Sequence, residues 1–187
     1  HDIDTTDEFY NGEKEYYDEI QPKLANLTVE YQRGMYESPY RSYLEGKIGK
    51  VAFKNIELQL KSFDEKLIPL MQEENALKTK YDKLIASAEI EWEGEILNLS
   101  LLKPYLTSSD RDVRKRAYEK YSAYFTSVAE ELDDIYDKLV KNRTEQAKQM
   151  GYENYVELGY YRMNRNCYDK GMVENYRRQI KEYFVPF

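Results

Sequence analysis

From Asp110 to Met150 the apolar residues recur every three or four positions: Val113, Ala117, Tyr121, Phe125, Val128, Leu132, Ile135, Leu139, Ala147 and Met150. That is the helical period, and it constrains the fold more than any other feature of the chain. One helix over that span would be roughly 60 Å long at about 1.5 Å per residue, and its apolar stripe needs neighbours along its whole length. The spacing therefore predicts a helix from Asp110, capped by Ser108 or Ser109, to a stop at Gly151.

The rest of the chain reads in the same period. Thr5-x-x-Glu8 fits a capping box, followed by Phe9, Tyr16, Ile20, Leu24, Leu27, Tyr31 and Met35. Pro22 falls inside that run and predicts a kink or restart near Gln21. Ser38-Pro39 marks a break. A short helix from about Tyr40 to Glu45 is expected next, closed by Gly46 and Gly49. One or two helices carrying Val51 to Ile85 should follow, with Pro69 as an interruption. Another is expected near Glu153 to Met163, and a last one capped by Asp169 and reaching Phe184.

One segment breaks the period. In Glu89 to Leu99, Ile90 and Trp92 alternate with Glu, and Gly94 sits where a tight turn needs it. This predicts a β-hairpin at about 89–99, the only one expected. The 187 residues carry only 8 Gly and 5 Pro, too few turn signals for an all-β fold. The expected class is mainly α, with long antiparallel helices and one small β-hairpin in a single helical lobe covering residues 1–187.

The chemistry of the chain is sparse. A net charge of −7 argues against nucleic acid and anionic membrane surfaces as partners. Arg111, Arg114, Lys115 and Arg116 are interleaved with Asp110, Asp112 and Glu119 and read as a solvated helix face. No apolar run approaches the roughly 20 residues needed to span a bilayer. The single cysteine, Cys167, cannot form an internal disulfide, which points to a reducing, cytoplasmic setting.

Zinc peptidases of the H-E-x-x-H type need two histidines one helical turn apart, and the only histidine is His1. Glu130, Asp133, Asp134 and Asp137 crowd one stretch, but with Lys138 and Lys141 beside them they read as a solvated face. Cys167 lies near Arg162 and Arg165 in sequence but has no His partner, and no phosphate-binding glycine loop is present. No catalytic residue and no metal ligand is assigned.

Ser87 to Glu95, Leu99 to Leu106 and Ser109 to Tyr118 together resemble the oligoendopeptidase F family, thimet oligopeptidase-like zinc metallopeptidases. That family shows an "I-x-F-x-G-x-x-x-N/T-L-S-x-L" segment followed by "S-x-D-R-x-V-R-x-x-A". Leu139 to Arg143, Ala147 to Tyr152 and Asn154-Tyr155 are similar to its "L-V-x-x-R-x-x-x-A-K-x-x-G-Y-x-N-Y" run, and Val173 to Ile180 to the helix that enters its catalytic half.

The resemblance implies the front lobe of a two-lobed, zincin-type oligopeptidase with a deep channel. It also implies zinc in the intact parent protein but none in this portion. Short peptides are the implied substrates, and a missing C-terminal catalytic portion the implied partner. The opening without Met and the close on Pro186-Phe187 fit a chain cut from a longer protein. Tyr160, Tyr161, Arg162 and Arg165 are the expected channel-lining residues, Tyr161 and Arg165 being four apart. The competing reading is a non-enzymatic helical binding or scaffold module.

The chain on its own is therefore expected to bind no zinc stoichiometrically and to cleave no peptide. Tight one-to-one zinc in a metal analysis, surviving removal of His1, is the result that overturns this.

Overall fold

The periodic sequence becomes a helical structure in the computed structural model, which describes residues 4–187. His1 lies outside the described residues. Among those described, the elements are α1 (Glu8–Tyr36), α2 (Arg41–Ile48), α3 (Lys50–Leu60), α4 (Ile68–Ala86), β1 (Ile90–Trp92), β2 (Glu95–Leu97), α5 (Leu99–Leu106), α6 (Arg111–Ser127), α7 (Ala129–Gln149), α8 (Tyr155–Arg162) and α9 (Lys170–Gln179). A 3₁₀ turn, Glu65–Leu67, leads into α4, and a π-type turn, Ile180–Phe184, follows α9. The architecture is mainly α with one small hairpin.

The helix does not restart near Gln21: α1 runs unbroken through Pro22. A proline has no N–H, so the carbonyl four residues earlier, on Asp18, loses its helical donor. Asn75 of α4 supplies one, its Nδ2 donating to that oxygen at 3.0 Å. Gln72 donates to the next carbonyl, on Glu19, at 2.7 Å. Thr79 donates to the Asp18 carboxylate, and Lys14 donates to both Asp18 and Thr79. Residues 72, 75 and 79 lie three and four apart, so one face of α4 serves the weakened turn of α1.

Other boundaries shift for local reasons. Asp7, not Thr5, caps α1, accepting from the Tyr10 N–H at 3.0 Å. Gly46 lies inside α2 and only Gly49, at φ 109°, ends it. Pro69 does not interrupt α4, because it is the second residue of the helix and no donor is needed there. Asp110, not Ser108 or Ser109, caps α6, accepting from Asp112 and Val113. Ser108 Oγ instead accepts from the Asp110 N–H.

The predicted 60 Å helix is two helices, of 17 and 21 residues, broken at Val128. Ser127 Oγ donates to the Tyr124 carbonyl at 2.7 Å, the oxygen that the Val128 N–H also uses at 3.2 Å. That competition loosens the turn. The stripe still holds its phase, since every residue in it is buried or half-buried.

The hairpin forms within its predicted range, pairing Ile90 with Leu97, Glu91 with Ile96 and Trp92 with Glu95. Glu93 and Gly94 both take positive φ, 51° and 93°, as the mirror-image two-residue turn requires. A lone hairpin is marginal. This one is held by Ile90, Trp92 and Leu97 packing on Leu102 of α5 and Ala117 of α6. The Trp92 indole N–H has no hydrogen-bond partner among the described residues, a cost that the burial of its ring offsets.

The chain packs as two units. The first comprises the chain up to Gln21 together with Leu70–Arg143, and holds the hairpin core. Within it, α7 meets α4 through polar groups. Asn142 Nδ2 donates to the Leu70 carbonyl at 3.0 Å and to Glu73 at 2.7 Å, and Arg143 Nε donates to Glu74 at 2.9 Å. The second unit, Pro22–Pro69 with Thr144–Phe187, is built on Phe53, Ile56, Leu67, Ala147 and Leu158. No helix among the described residues is long and apolar enough to cross a membrane.

Asn75→Ala is expected to destabilise the protein by about 1 kcal/mol, the cost of losing a hydrogen bond to a half-buried carbonyl. In a Pro22→Ala background the helix supplies its own N–H, and the same change should cost clearly less. Urea denaturation of the four proteins in that cycle measures the coupling, and strictly additive effects would refute the role assigned to Asn75.

Candidate functional site

The segment from α8 to the start of α9 folds back on itself. Asn154 caps α8, its Oδ1 accepting from the Val156 N–H at 2.9 Å. Gly159 permits a close approach, since a Cβ there would sit 3.3 Å from the Tyr155 ring. The helix ends at Arg162, two residues before Asn164 takes a left-handed φ of 51°. The reversed chain returns the Arg165 N–H to the Tyr160 carbonyl at 3.3 Å. Asp169 then caps α9, accepting from the Met172 N–H at 2.9 Å.

This reversal encloses a cavity of about 360 Å³ lined by Glu157, Tyr160, Tyr161, Arg165, Tyr168 and Asp169, among others. Arg165 is among its lining residues, with its guanidinium 4.1 Å from the Tyr160 ring centroid and 5.4 Å from that of Tyr168. Cation–π contacts of this kind do not consume the guanidinium N–H groups. Arg165 is half-buried, yet it has no carboxylate partner among the described residues.

Tyr161 lines the same cavity from α8. Its hydroxyl donates to Glu157 Oε1 at 2.7 Å. That bond, then burial, then the charge on Glu157 push the Tyr161 hydroxyl up to about 12. Behind it, the Tyr152 ring lies 5.7 Å away and Lys61 Nζ 5.6 Å from the Tyr161 centroid. Lys61 is anchored by Glu57 at 2.7 Å, a contact that raises the pKa of the ammonium and lowers that of the carboxylate. Asn166 ties the reversal to α3 through a 2.6 Å bond to Asn55 Oδ1.

The structure thus brings Tyr160, Tyr161 and Arg165 together and separates Arg162 from them. Arg162 reaches the fully buried Gln146 and lies 5.9 Å from the Tyr155 ring. The helical spacing of Tyr161 and Arg165 is not what joins them, because α8 ends first; the reversal does. The sequence does not single out Tyr168, although it stands three residues from Arg165, and Glu157, a candidate partner for these arginines, bonds to Tyr161 instead. Cys167 is exposed and bonds to Asn166 Oδ1 at 3.1 Å.

The other charged clusters that stand out in the sequence are exposed or engaged in local contacts. The carboxylates at 130, 133, 134 and 137 are exposed, with Asp134 and Asp137 paired to Lys138 and Lys141 at 2.6 Å. Arg116 pairs with Glu93 and Lys115 with Glu119, while Arg114 serves the carbonyls of Ser108 and Ser109. Among the described residues no three His, Cys, Asp or Glu side chains are grouped so as to hold a metal ion.

Two family models match the chain: the Peptidase M3 N-terminal domain over residues 1–63 and Peptidase family M3 over residues 104–182. Solved structures resemble it over 98% of its length. A protein provisionally assigned as an oligoendopeptidase F is 44% identical with a TM-score of 0.92. PZ peptidase A, solved with an inhibitor, is 44% identical with a TM-score of 0.93. A further provisional oligoendopeptidase F, from Bacillus anthracis str. Ames, is 43% identical with a TM-score of 0.93. The chain spans 32%, 33% and 34% of those three chains respectively. No curated protein matches it.

Carbon-13 labelling of the tyrosine Cζ should show Tyr161 titrating near pH 12, against an ordinary value of 10.0. The raised value means the protonated, bonded form stabilises the fold below about pH 10 and that this contribution fades as pH rises toward 12. Glu157→Gln should return the midpoint toward the ordinary value; an unchanged midpoint would show that Glu157 is not the cause.

Proposed function

Because the chain belongs to the M3 peptidase family and resembles the N-terminal part of oligoendopeptidase F, we propose that it forms the substrate-channel front lobe of a zinc-dependent oligoendopeptidase that hydrolyses short peptides in the cytoplasm. The observation that carries this reading is 44% identity over 98% of the chain, at a TM-score of 0.92, to a protein provisionally assigned as an oligoendopeptidase F. The two packing units are read as parts of one lobe.

The described residues do not fit a zinc site, since no suitable group of ligands is assembled. In this reading the zinc is held by the remainder of a protein of the relatives' length, and no bond-making step is assigned to this chain. Its contribution is positioning and the exclusion of water and of folded proteins from a channel. Tyr160, Tyr161 and Arg165 border that channel, while Arg162, expected with them, is engaged by the buried Gln146. Rings and guanidinium groups suit an extended peptide, because the rings flank the chain and the planar fork donates to its carbonyls or carboxylates.

The surface of α9 supports a partner from the same protein. Met172, Tyr176, Ile180, Tyr183 and Phe184 recur along one side and are all exposed. A contiguous apolar stripe of that kind is unusual on a free surface. In this reading the remaining catalytic portion covers it.

The test uses the whole protein that contains this chain. It should hold one zinc, cleave a quenched-fluorescent short peptide, lose that activity on chelation and regain it with zinc. Tyr160→Ala and Arg165→Ala should raise KM and leave kcat nearly unchanged, as loss of uniform binding does. A zinc-loaded protein that cleaves no short peptide would sink the proposal; unaltered KM in both variants at matched stability would sink the channel assignment.

A further inference from the structure

Arg165 is half-buried without a carboxylate partner among the described residues, as is Arg41 on the Tyr36 ring, but Arg165 alone of the two lines this cavity. A half-buried guanidinium has lost part of its hydration and ordinarily recovers it from a carboxylate. Carboxylates are at hand, since Glu153, Glu157 and Asp169 line the same cavity. None of them pairs with Arg165. Glu157 accepts from the Tyr161 hydroxyl, and Asp169 accepts from the first turn of α9. The guanidinium lies instead beside the rings of Tyr160 and Tyr168. The hydroxyls of those two tyrosines also have no partner among the described residues. Three groups that donate hydrogen bonds therefore converge on one cavity with their donors unspent.

We infer that the cavity formed by Tyr160, Arg165 and Tyr168 is the seat of a peptide carboxylate, received by the Arg165 fork and the two tyrosine hydroxyls. This deepens, and rests on, the oligopeptidase reading. The cavity, at about 360 Å³, is at the small end of ligand sites and suits a chain end better than a long segment. The acidic rim repels simple anions, so a free phosphate or acetate is a poor ligand. A peptide carboxylate arrives with a backbone that the tyrosine rings can flank, and that contact outweighs the rim. The carboxylate has two sources: the free C-terminus of the peptide or an acidic side chain within it.

The experiment measures Kd and KM of the whole protein for peptides of one sequence in three forms: free acid, C-terminal amide, and amide with one internal Glu. The free acid or the internal Glu form should bind about tenfold to a hundredfold more tightly than the plain amide, the range for a charge-assisted pair. Whichever of the two does so identifies the source. In Arg165→Gln the ratio should fall to near one. In Arg165→Lys, which keeps the charge but not the fork, it should fall only in part.

The ratio is internal to each variant, so partial unfolding does not disturb it. Equal binding of all three forms by the unaltered protein overturns the inference, and so does a ratio unchanged in Arg165→Gln. Full retention of the ratio in Arg165→Lys, or displacement of the peptide by inorganic phosphate at the same concentration, also overturns it. Arg165-dependent binding without any hydrolysis would instead sink the peptidase reading and leave the carboxylate seat standing.

Discussion

The first packing unit depends on the polar faces of α4. A helix through which Pro22 passes has a carbonyl to place, and α4 places it with Asn75 while Gln72 and Thr79 hold the flanking groups. On another face the same helix receives Asn142 and Arg143 from α7 through the Leu70 carbonyl, Glu73 and Glu74. Glu74, Thr79 and Asn142 are buried. Polar groups in such positions contribute little net stability when satisfied and cost much when any partner is lost. Their effect is to select one register of α4 against its neighbours, because a slip of one residue orphans several groups at once. A chain in which 34% of residues are charged can therefore be tightly specified without a large apolar core.

How much of this was legible in the sequence follows from where each cause lies. Causes within a turn or two were readable. The stripe from Val113 to Met150, the hairpin turn at Gly94, the stop at Gly151 with φ 86° and the Asp169 cap all rest on neighbouring residues. The rescue of Pro22 was not readable, because its donor lies on a different helix. The break at Val128 was hidden because the apolar stripe keeps its phase across it. A hydroxyl competing for one carbonyl leaves no trace in a hydrophobic pattern.

The candidate site shows the same division. Tyr160, Tyr161, Arg162 and Arg165 stood out as an aromatic and basic cluster without a core stripe. Helical spacing could not sort them, because α8 ends at Arg162 and the later residues are placed by a reversal at Asn164. Arg162 faces a fully buried amide and Arg165 faces a cavity, a difference decided by three residues of irregular backbone. The family resemblance lay in the order and spacing of several motifs, none of which touches the question of which arginine points where.

The surplus of tyrosine, 20 residues in 187, has a structural cause that sharpens the contrast at this site. Helix C-termini leave carbonyls without helical donors. Tyr152 donates its hydroxyl to the carbonyl of Lys61 just past the end of α3, and Tyr124 donates to the carbonyl of Leu84 in the last turn of α4. Burial pushes the pKa of both hydroxyls up, in keeping with phenols that serve as fixed donors. A tyrosine can thus bury its ring between helices and finish a neighbouring helix with its tip. Tyr161 spends its hydroxyl in a comparable way, on Glu157. Against that pattern, the half-buried Tyr160 and the exposed Tyr168 set their rings beside Arg165 and leave their tips unspent. The packing explains why the rings are there; it does not use the hydroxyls, and those are the groups a ligand would find.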